Sequence, residues 1–270
     1  MKLFHNKTGE GKPLIILHGL FGMSDNWMTL SKRYAGNGFA CYTVDQRNHG
    51  RSPHSDEFNY TAMANDLLEF MVDEQLPSAS IIGHSMGGKT AMFFSCMHPE
   101  KIEKLVVADI APKYYPPHHD SELIALQGLD LNEINSRKEA EESLKLSLHN
   151  EATIQFLLKN LYWKDVEENE EQRENGNADL KKLAWRFNLP AISKNWNAVG
   201  EAIPDDFRFN KSTLFLRGEK SGYITDQDVP VIQKHFPKAQ IKTITNAGHW
   251  LHAENPGEFM DTTLTYLTES

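Results

Sequence analysis

Cysteine is scarce in this 270-residue chain: Cys41 and Cys96 are the only two. Two cysteines at this length exclude a disulfide framework. Both lie in apolar contexts, FACYTV and FFSCMH, and are expected to be buried free thiols. Basic charge is also short, with 28 Lys and Arg against 37 Asp and Glu and a net charge of -9. Such a chain gains little from phosphate attraction, so nucleic acid is not an expected partner. Part of the acid surplus is local, in DVEENEEQRE at 165–174, which reads as a solvated helix end or loop. No apolar run is long enough to span a membrane, and nothing ahead of Leu14 reads as a signal peptide. A cytoplasmic protein with no membrane partner is the expectation. There is no H-E-x-x-H and no paired C-x-x-C, so neither a metal nor an organic cofactor is expected. Internal repeats and low-complexity tracts are missing too.

What is present is an alternation. Short apolar runs occur at PLIILHG (13–19), GFACYTVD (38–45), ASIIGHS (79–85), KLVVADI (104–110), STLFLRG (212–218) and AQIKTIT (239–245). Their near-continuous apolar character predicts strands buried on both faces of a parallel sheet. Between them lie helical patterns. Met63, Leu67, Phe70 and Met71 share one helical face, and Asn255, Pro256 and Glu258 form a helix start. Strand and helix in alternation predict a doubly wound α/β fold. Residues 111–205 break the rhythm, with few strand-like runs and several helices. Ser136 with Glu139 makes a capping box there, and Asn150 caps a further helix. The segment is too long for a simple connection. It is expected to be a helical cap inserted into a core made of 1–110 and 206–270.

One stretch, IIGHSMGGKT at 81–90, fits two catalytic patterns. As G-x-x-x-x-G-K-[ST], with Gly83, Gly88, Lys89 and Thr90, it is a phosphate-cradling loop, and the strand ending in Asp109 would supply an acid for magnesium. As G-x-S-x-G, with Gly83, Ser85 and Gly87, it is a tight strand-to-helix turn presenting a nucleophilic serine. The phosphate reading leaves HGLFG (18–22) and the late NAGHW (246–250) without a use. The serine reading absorbs both. Met86 follows the serine and opens a helix, so its N–H can meet a developing oxyanion. Leu20 is the expected second donor, with Phe21 in reserve. Serine needs a base, and of twelve histidines His249 stands where chain order requires one, after the last strand, with His252 as runner-up. His84 is expected to face away from the serine and pack structurally. His18 and His49 are expected to hydrogen-bond to backbone, and Asp45 and Arg47 to form a buried pair holding a turn.

These motifs, PLIILHG, DQRNHGRS (45–52), GHSMGG and NAGHW, resemble the α/β-hydrolase superfamily in kind and order over nearly the whole chain outside the cap. The combination of HGLFG, DQRNHG, VADIAP and NAGHW is similar to the YbfF-like bacterial esterases. Most of the superfamily carries the triad aspartate in a G-x-x-D loop after the next-to-last strand. Here that loop reads RGEKSGYITDQD (217–228), and Ser221 stands at the aspartate's place. A neutral hydroxyl cannot stabilise an imidazolium. The residues themselves leave Asp109, at the end of the strand beside the nucleophile's, and Asp226 open, with Asp228 and Glu219 behind them. The resemblance to YbfF-like esterases implies the acid of the D-I-A-P turn, Asp109.

The expected activity is hydrolysis of carboxylic esters of short to medium acyl chains, with thioesters within reach of the same chemistry, on a small-molecule acyl ester. Tyr114, Tyr115, Tyr162, Trp163, Trp185, Phe187 and Trp196 furnish an aromatic cap, most of it core and some of it mouth. Hydrolysis of a carbon–carbon bond, a nucleotide-dependent reaction through Lys89 and Thr90, and a ligand-binding role without catalysis are the alternatives. Dehalogenases and epoxide hydrolases of the superfamily carry aspartate in place of the serine.

Overall fold

Leu14 and Ile16 alternate with Ile15 and Leu17 along one strand, and all four are buried. Side chains on a strand alternate between faces, so a strand apolar at every position must be covered on both sides. A computed structural model, which describes residues 1–116, 120–165 and 181–269, shows how this is met. A seven-stranded sheet holds β1 (His5–Thr8), β2 (Lys12–Leu17), β3 (Phe39–Val44), β4 (Ala79–His84), β5 (Ile102–Ala108), β8 (Thr213–Gly218) and β9 (Ala239–Ile244). Their spatial order is β1-β3-β2-β4-β5-β8-β9. All pairings are parallel except that of β1 with β3.

Leu14, Ile16, Ile82 and Val106 pack on one face with Leu30 and Tyr34 of α1 (Met28–Ala35) and Phe259 and Leu267 of α11 (Pro256–Thr268). Ile15, Leu17, Ile81 and Val107 pack on the other with Met63 and Leu67 of α2 (Tyr60–Asp73) and Met92 and Phe93 of α3 (Met86–Met97). Each such side chain, fully buried, contributes roughly 1.5–3 kcal/mol before entropy is counted. The caps read from sequence are made: Asn255 accepts from Glu258 N–H at 3.3 Å, Ser136 from Glu139 N–H at 3.1 Å, and Asn150 from Thr153 N–H at 3.1 Å.

The periodicity missed β1. Its sequence, HNKT, is polar because it is an edge strand, partly solvated. At the opposite edge, β9 likewise exposes Gln240 and Lys242.

Between β5 and β8 the chain leaves the sheet. It forms α4 (Asp120–Gln127), α5 (Arg137–Lys145), α6 (Glu151–Leu158), α7 (Leu189–Lys194) and α8 (Trp196–Val199), together with an antiparallel ribbon of β6 (Leu161–Asp165) and β7 (Lys181–Trp185). The ribbon was not expected, since LYWKD and KKLAW are short and half charged. From residue 166 on, the acidic run lies outside the described residues. The chain rejoins the sheet at β8 and continues through α9 (Val229–His235), β9 and a single turn, α10 (Leu251–Glu254).

Two smaller expectations are corrected. Arg47 does not pair with Asp45. Its guanidinium takes Asp66 in two bonds, at 2.6 and 3.0 Å, a planar fork that α2 presents and a turn neighbour cannot. Asp45 instead accepts the N–H groups of Ser24 at 2.5 Å and Arg51 at 2.8 Å. Cys41 is buried, whereas Cys96, at the last turn of α3, is only partly so. Burial pushes both thiols up to about 12.

Candidate active site

The order of strands reverses about β2: β3 lies to one side of it and β4 to the other. Connections leaving β2 and β4 therefore diverge, and a crevice opens beyond their carboxyl ends. HGL leaves β2 at that point and the serine turn leaves β4, with Leu17 in register with Gly83. Ser85 holds φ 52 and ψ -118. An L-residue there costs on the order of 1–3 kcal/mol and is kept only by its surroundings. The surroundings are close. A Cβ on Gly83 would lie 2.3 Å from the Gly87 carbonyl oxygen, and one on Gly87 would lie 2.4 Å from that of Leu17. Ser85 N–H donates to Ala108 O at 2.9 Å. The chain thus folds back so tightly that glycine is required on both sides of the serine.

The serine's hydroxyl lies 3.1 Å from His249 Nε2, and His249 Nδ1 lies 2.8 Å from Asp109 Oδ2. Asp109 is fully buried and His249 is 22% exposed. Besides the imidazole, the carboxylate accepts Gly218 N–H at 3.1 Å and the Ser221 hydroxyl at 2.5 Å. The residue that stands in the usual aspartate's place therefore donates to the aspartate that lies one strand over. Burial pushes the Asp109 carboxyl up to about 6, against the lowering effect of those hydrogen bonds. The other acids lie elsewhere. Asp226 is exposed and pairs with Arg217 at 2.6 Å. Asp228 pairs with Lys113 at 2.7 Å. Glu219 accepts Asn246 N–H at 2.7 Å.

Of the two reserves among donors and bases, neither is available. Phe21 N–H is taken by His49 Nε2 at 3.2 Å. His252 is half-buried and stacked on Trp27, ring centres 4.1 Å apart, and desolvation holds its pKa well below the ordinary value. Leu20 borders the cavity beside Ser85, and Met86 is the first residue of α3, where N–H groups have no intrahelical acceptor.

Several positioning residues escaped sequence reasoning. His84 does not face away. Its ring lies 4.8 Å from that of His249, and its Nε2 meets His249 O at 2.8 Å. A carbonyl only accepts, so Nε2 carries the proton. Burial beside His249 drives the His84 pKa down to about 3, leaving the ring neutral. Asn160, from beyond α6, donates to Phe21 O at 2.7 Å. With His49 on the amide and Asn160 on the carbonyl, Phe21 is held at φ 57 and the Leu20 peptide is set before it. His18 and His49 bond to backbone as read: each accepts an N–H at Nε2 and donates from Nδ1 to a carbonyl. Tyr223 stacks on His249 at 3.8 Å. A histidine before the serine was a signal in plain view. Asn160 and Tyr223 had none, being brought in from distant segments.

The phosphate-loop reading fails on geometry. Lys89 is buried within α3, donating to Lys113 O at 2.7 Å and to Glu201 O. Thr90 Oγ1 donates to Met86 O at 3.2 Å. Lys89 is thereby committed to the two ends of the segment between β5 and β8, and Asp109 to His249. Desolvation pushes the Lys89 pKa down to about 7.

A serine on a strained turn at the switch point of a mostly parallel sheet, in hydrogen-bond contact with a late histidine, defines a class of hydrolases. The α/β-hydrolase-fold family matches residues 12–256, and the chain belongs to it. It is similar to the esterase YbfF of Escherichia coli, 35% identical over 268 residues that cover 98% of this chain and 95% of that protein. It is also similar to the sn-1-specific diacylglycerol lipase ABHD11 of Danio rerio, 36% identical over 96% of this chain and 79% of that one. Among solved structures, a marine microorganism esterase superposes with a TM-score of 0.88 at 44% identity, covering 98% of this chain and 99% of that chain. No helix among the described residues is long and apolar enough to cross a membrane.

Proposed function

We propose that the chain hydrolyses carboxylic esters through an acyl-enzyme on Ser85. The observation that carries this reading is the unbroken contact from the Ser85 hydroxyl through His249 to buried Asp109. His249 Nε2 takes the hydroxyl proton as Ser85 Oγ attacks the carbonyl carbon. The N–H groups of Leu20 and Met86 receive the oxyanion, in a site whose geometry is set before the substrate arrives. Asp109 keeps the Nδ1 proton in place and stabilises the imidazolium. His249 then protonates the departing alkoxide. Water, deprotonated by the same imidazole, releases the acid and restores the serine.

Residues 111–205 act as a cap over this site. Phe156 and Leu157 of α6 line the cavity above Ser85, and Lys89 ties both ends of the segment to the nucleophile's helix. Thioesters are substrates on the same chemistry. Similarity to proteins named esterase and lipase supports the ester bond as the target.

The test is hydrolysis of p-nitrophenyl esters from acetate to palmitate by the wild type and by Ser85→Ala. Turnover should fall roughly a million-fold in the variant, since triad members act as a unit. Turnover indifferent to Ser85 would end this reading.

A further inference from the structure

Two cavities meet at Ser85, and they are very unequal. One of about 270 Å³ is walled by Phe156, His249, Trp250 and His252. The other, about 40 Å³, is walled by Met86, Ile110, Tyr115, Trp196 and Val199. Ser85 and Leu20 border both. An ester poised for attack has its carbonyl carbon at Ser85 Oγ and its carbonyl oxygen at the Leu20 and Met86 amides. Its two remaining arms then point apart. The arms are not equivalent. The Ser85 Oγ–carbon bond forms and the carbon–alkoxy bond breaks, and the alkoxy oxygen takes from His249 the proton that His249 took from the serine. The alkoxy arm must therefore lie on the His249 side, in the larger cavity. What remains for the acyl arm is the smaller one.

The smaller cavity is also stiffly walled. Tyr60 Oη donates to Val199 O at 2.5 Å. Tyr115 Oη donates to Tyr223 O at 2.6 Å and accepts Ala111 N–H at 2.8 Å, while Tyr115 N–H donates to Gly200 O at 2.8 Å. Walls pinned at both ends do not yield to an added methylene as a loose side chain does.

Resting on the acyl-enzyme reading, we infer that this protein selects esters of short acyl groups, a few carbons long, carried on larger apolar alcohols. The short acyl group sits among Ile110, Tyr115 and Trp196, and the alcohol sits under Phe156 and Trp250.

Two isomeric esters separate this from its reverse: octyl acetate and methyl nonanoate have the same formula with the long chain on opposite sides of the ester. Octyl acetate should show a kcat/KM about tenfold or more above that of methyl nonanoate, since even one methylene in a closed pocket discriminates by about 10–200-fold. Trp196→Ala should narrow that ratio about tenfold by opening the small cavity, and the gentler Val199→Ala should narrow it less. If methyl nonanoate is the equal or better substrate, or if neither variant moves the ratio, the cavity assignment is overturned while Ser85-dependent hydrolysis stands. If neither ester is turned over, the acyl-enzyme reading beneath it falls as well.

Discussion

Two turns stand side by side at the carboxyl edge of the sheet. Ser85 ends β4 and Asp109 ends β5, and both residues hold φ 52. Their backbones are anchored alike, Ser85 N–H to Ala108 O at 2.9 Å and Asp109 N–H to Leu216 O at 2.8 Å. What keeps each in a left-handed conformation differs. At Ser85 the cause is packing: the flanking glycines let β2, β4 and α3 approach until no other path is open. At Asp109 it is the side chain, which draws a hydroxyl, an amide and an imidazole onto one carboxylate. Strain imposed by sterics leaves a glycine signature in the sequence. Strain held by long-range hydrogen bonds leaves none.

Substitutions can take this comparison apart. Asp109→Asn keeps the turn and removes the charge. Turnover of a short-chain p-nitrophenyl ester should drop on the order of ten-thousand-fold, and near-normal turnover would remove Asp109 from the mechanism. In that background, Ser221→Asp should recover part of the loss, since Ser221 Oγ already lies within hydrogen-bond reach of the carboxylate it would replace. No recovery would show that the loop after β8 cannot orient an acid toward His249.

The same carboxyl links activity and stability to pH with opposite signs. In the proposed mechanism Asp109 must be ionised, so activity should rise through about pH 6. Stability goes the other way. A carboxyl raised from 3.8 to about 6 by folding binds more protons folded than unfolded between those values. Its contribution is fully present below the unfolded pKa and is lost as pH rises through the folded one. Denaturant unfolding from about pH 4 to 7 should show a falling contribution in the wild type that Asp109→Asn flattens. Identical slopes would mean that the buried carboxyl does not titrate in this range.

Ser221→Ala is a smaller change. It deletes one hydrogen bond to a charged group, worth roughly 1.5–3 kcal/mol. It should lower kcat roughly tenfold and move the acid limb of the activity profile upward, because the hydroxyl holds the carboxyl's pKa down. A shift downward would contradict the contact. Smallest is the stability effect of Ser85→Gly, which should abolish turnover yet raise thermal stability by about 1 kcal/mol, a few degrees in Tm, by relieving the strained φ. Asp109→Gly should lower stability, since it discards three hydrogen bonds. Destabilisation by Ser85→Gly would show that the elbow is held by the hydroxyl's contacts and not by its flanks.

Much of the rest was legible for reasons of range. The five inner strands carry their burial in their own residues, while the edge strands β1 and β9 do so less, because an edge strand has little to bury. Ser85, His249 and the glycine frame are local patterns on short turns. Asp109 was one of several acids until β5 was placed between β4 and β8, with Ala108 in register with Leu216. Arg47's partner was misread for the same reason: Asp66 comes from a helix 19 residues on, and nearness in sequence pointed to Asp45.

By itself, then, the sequence determined the alternation of the main strands and helices and the glycine-framed elbow, and it pointed to His249 as the candidate base, because backbone sterics and hydrophobic period act over a few residues. Tertiary structure alone decided which acid meets His249, that Lys89 binds backbone in place of phosphate, that His84 supports the site, and that two unequal cavities flank Ser85. Each of those depends on which segments, often more than a hundred residues apart, the sheet's strand order and register bring within 3 Å of one another.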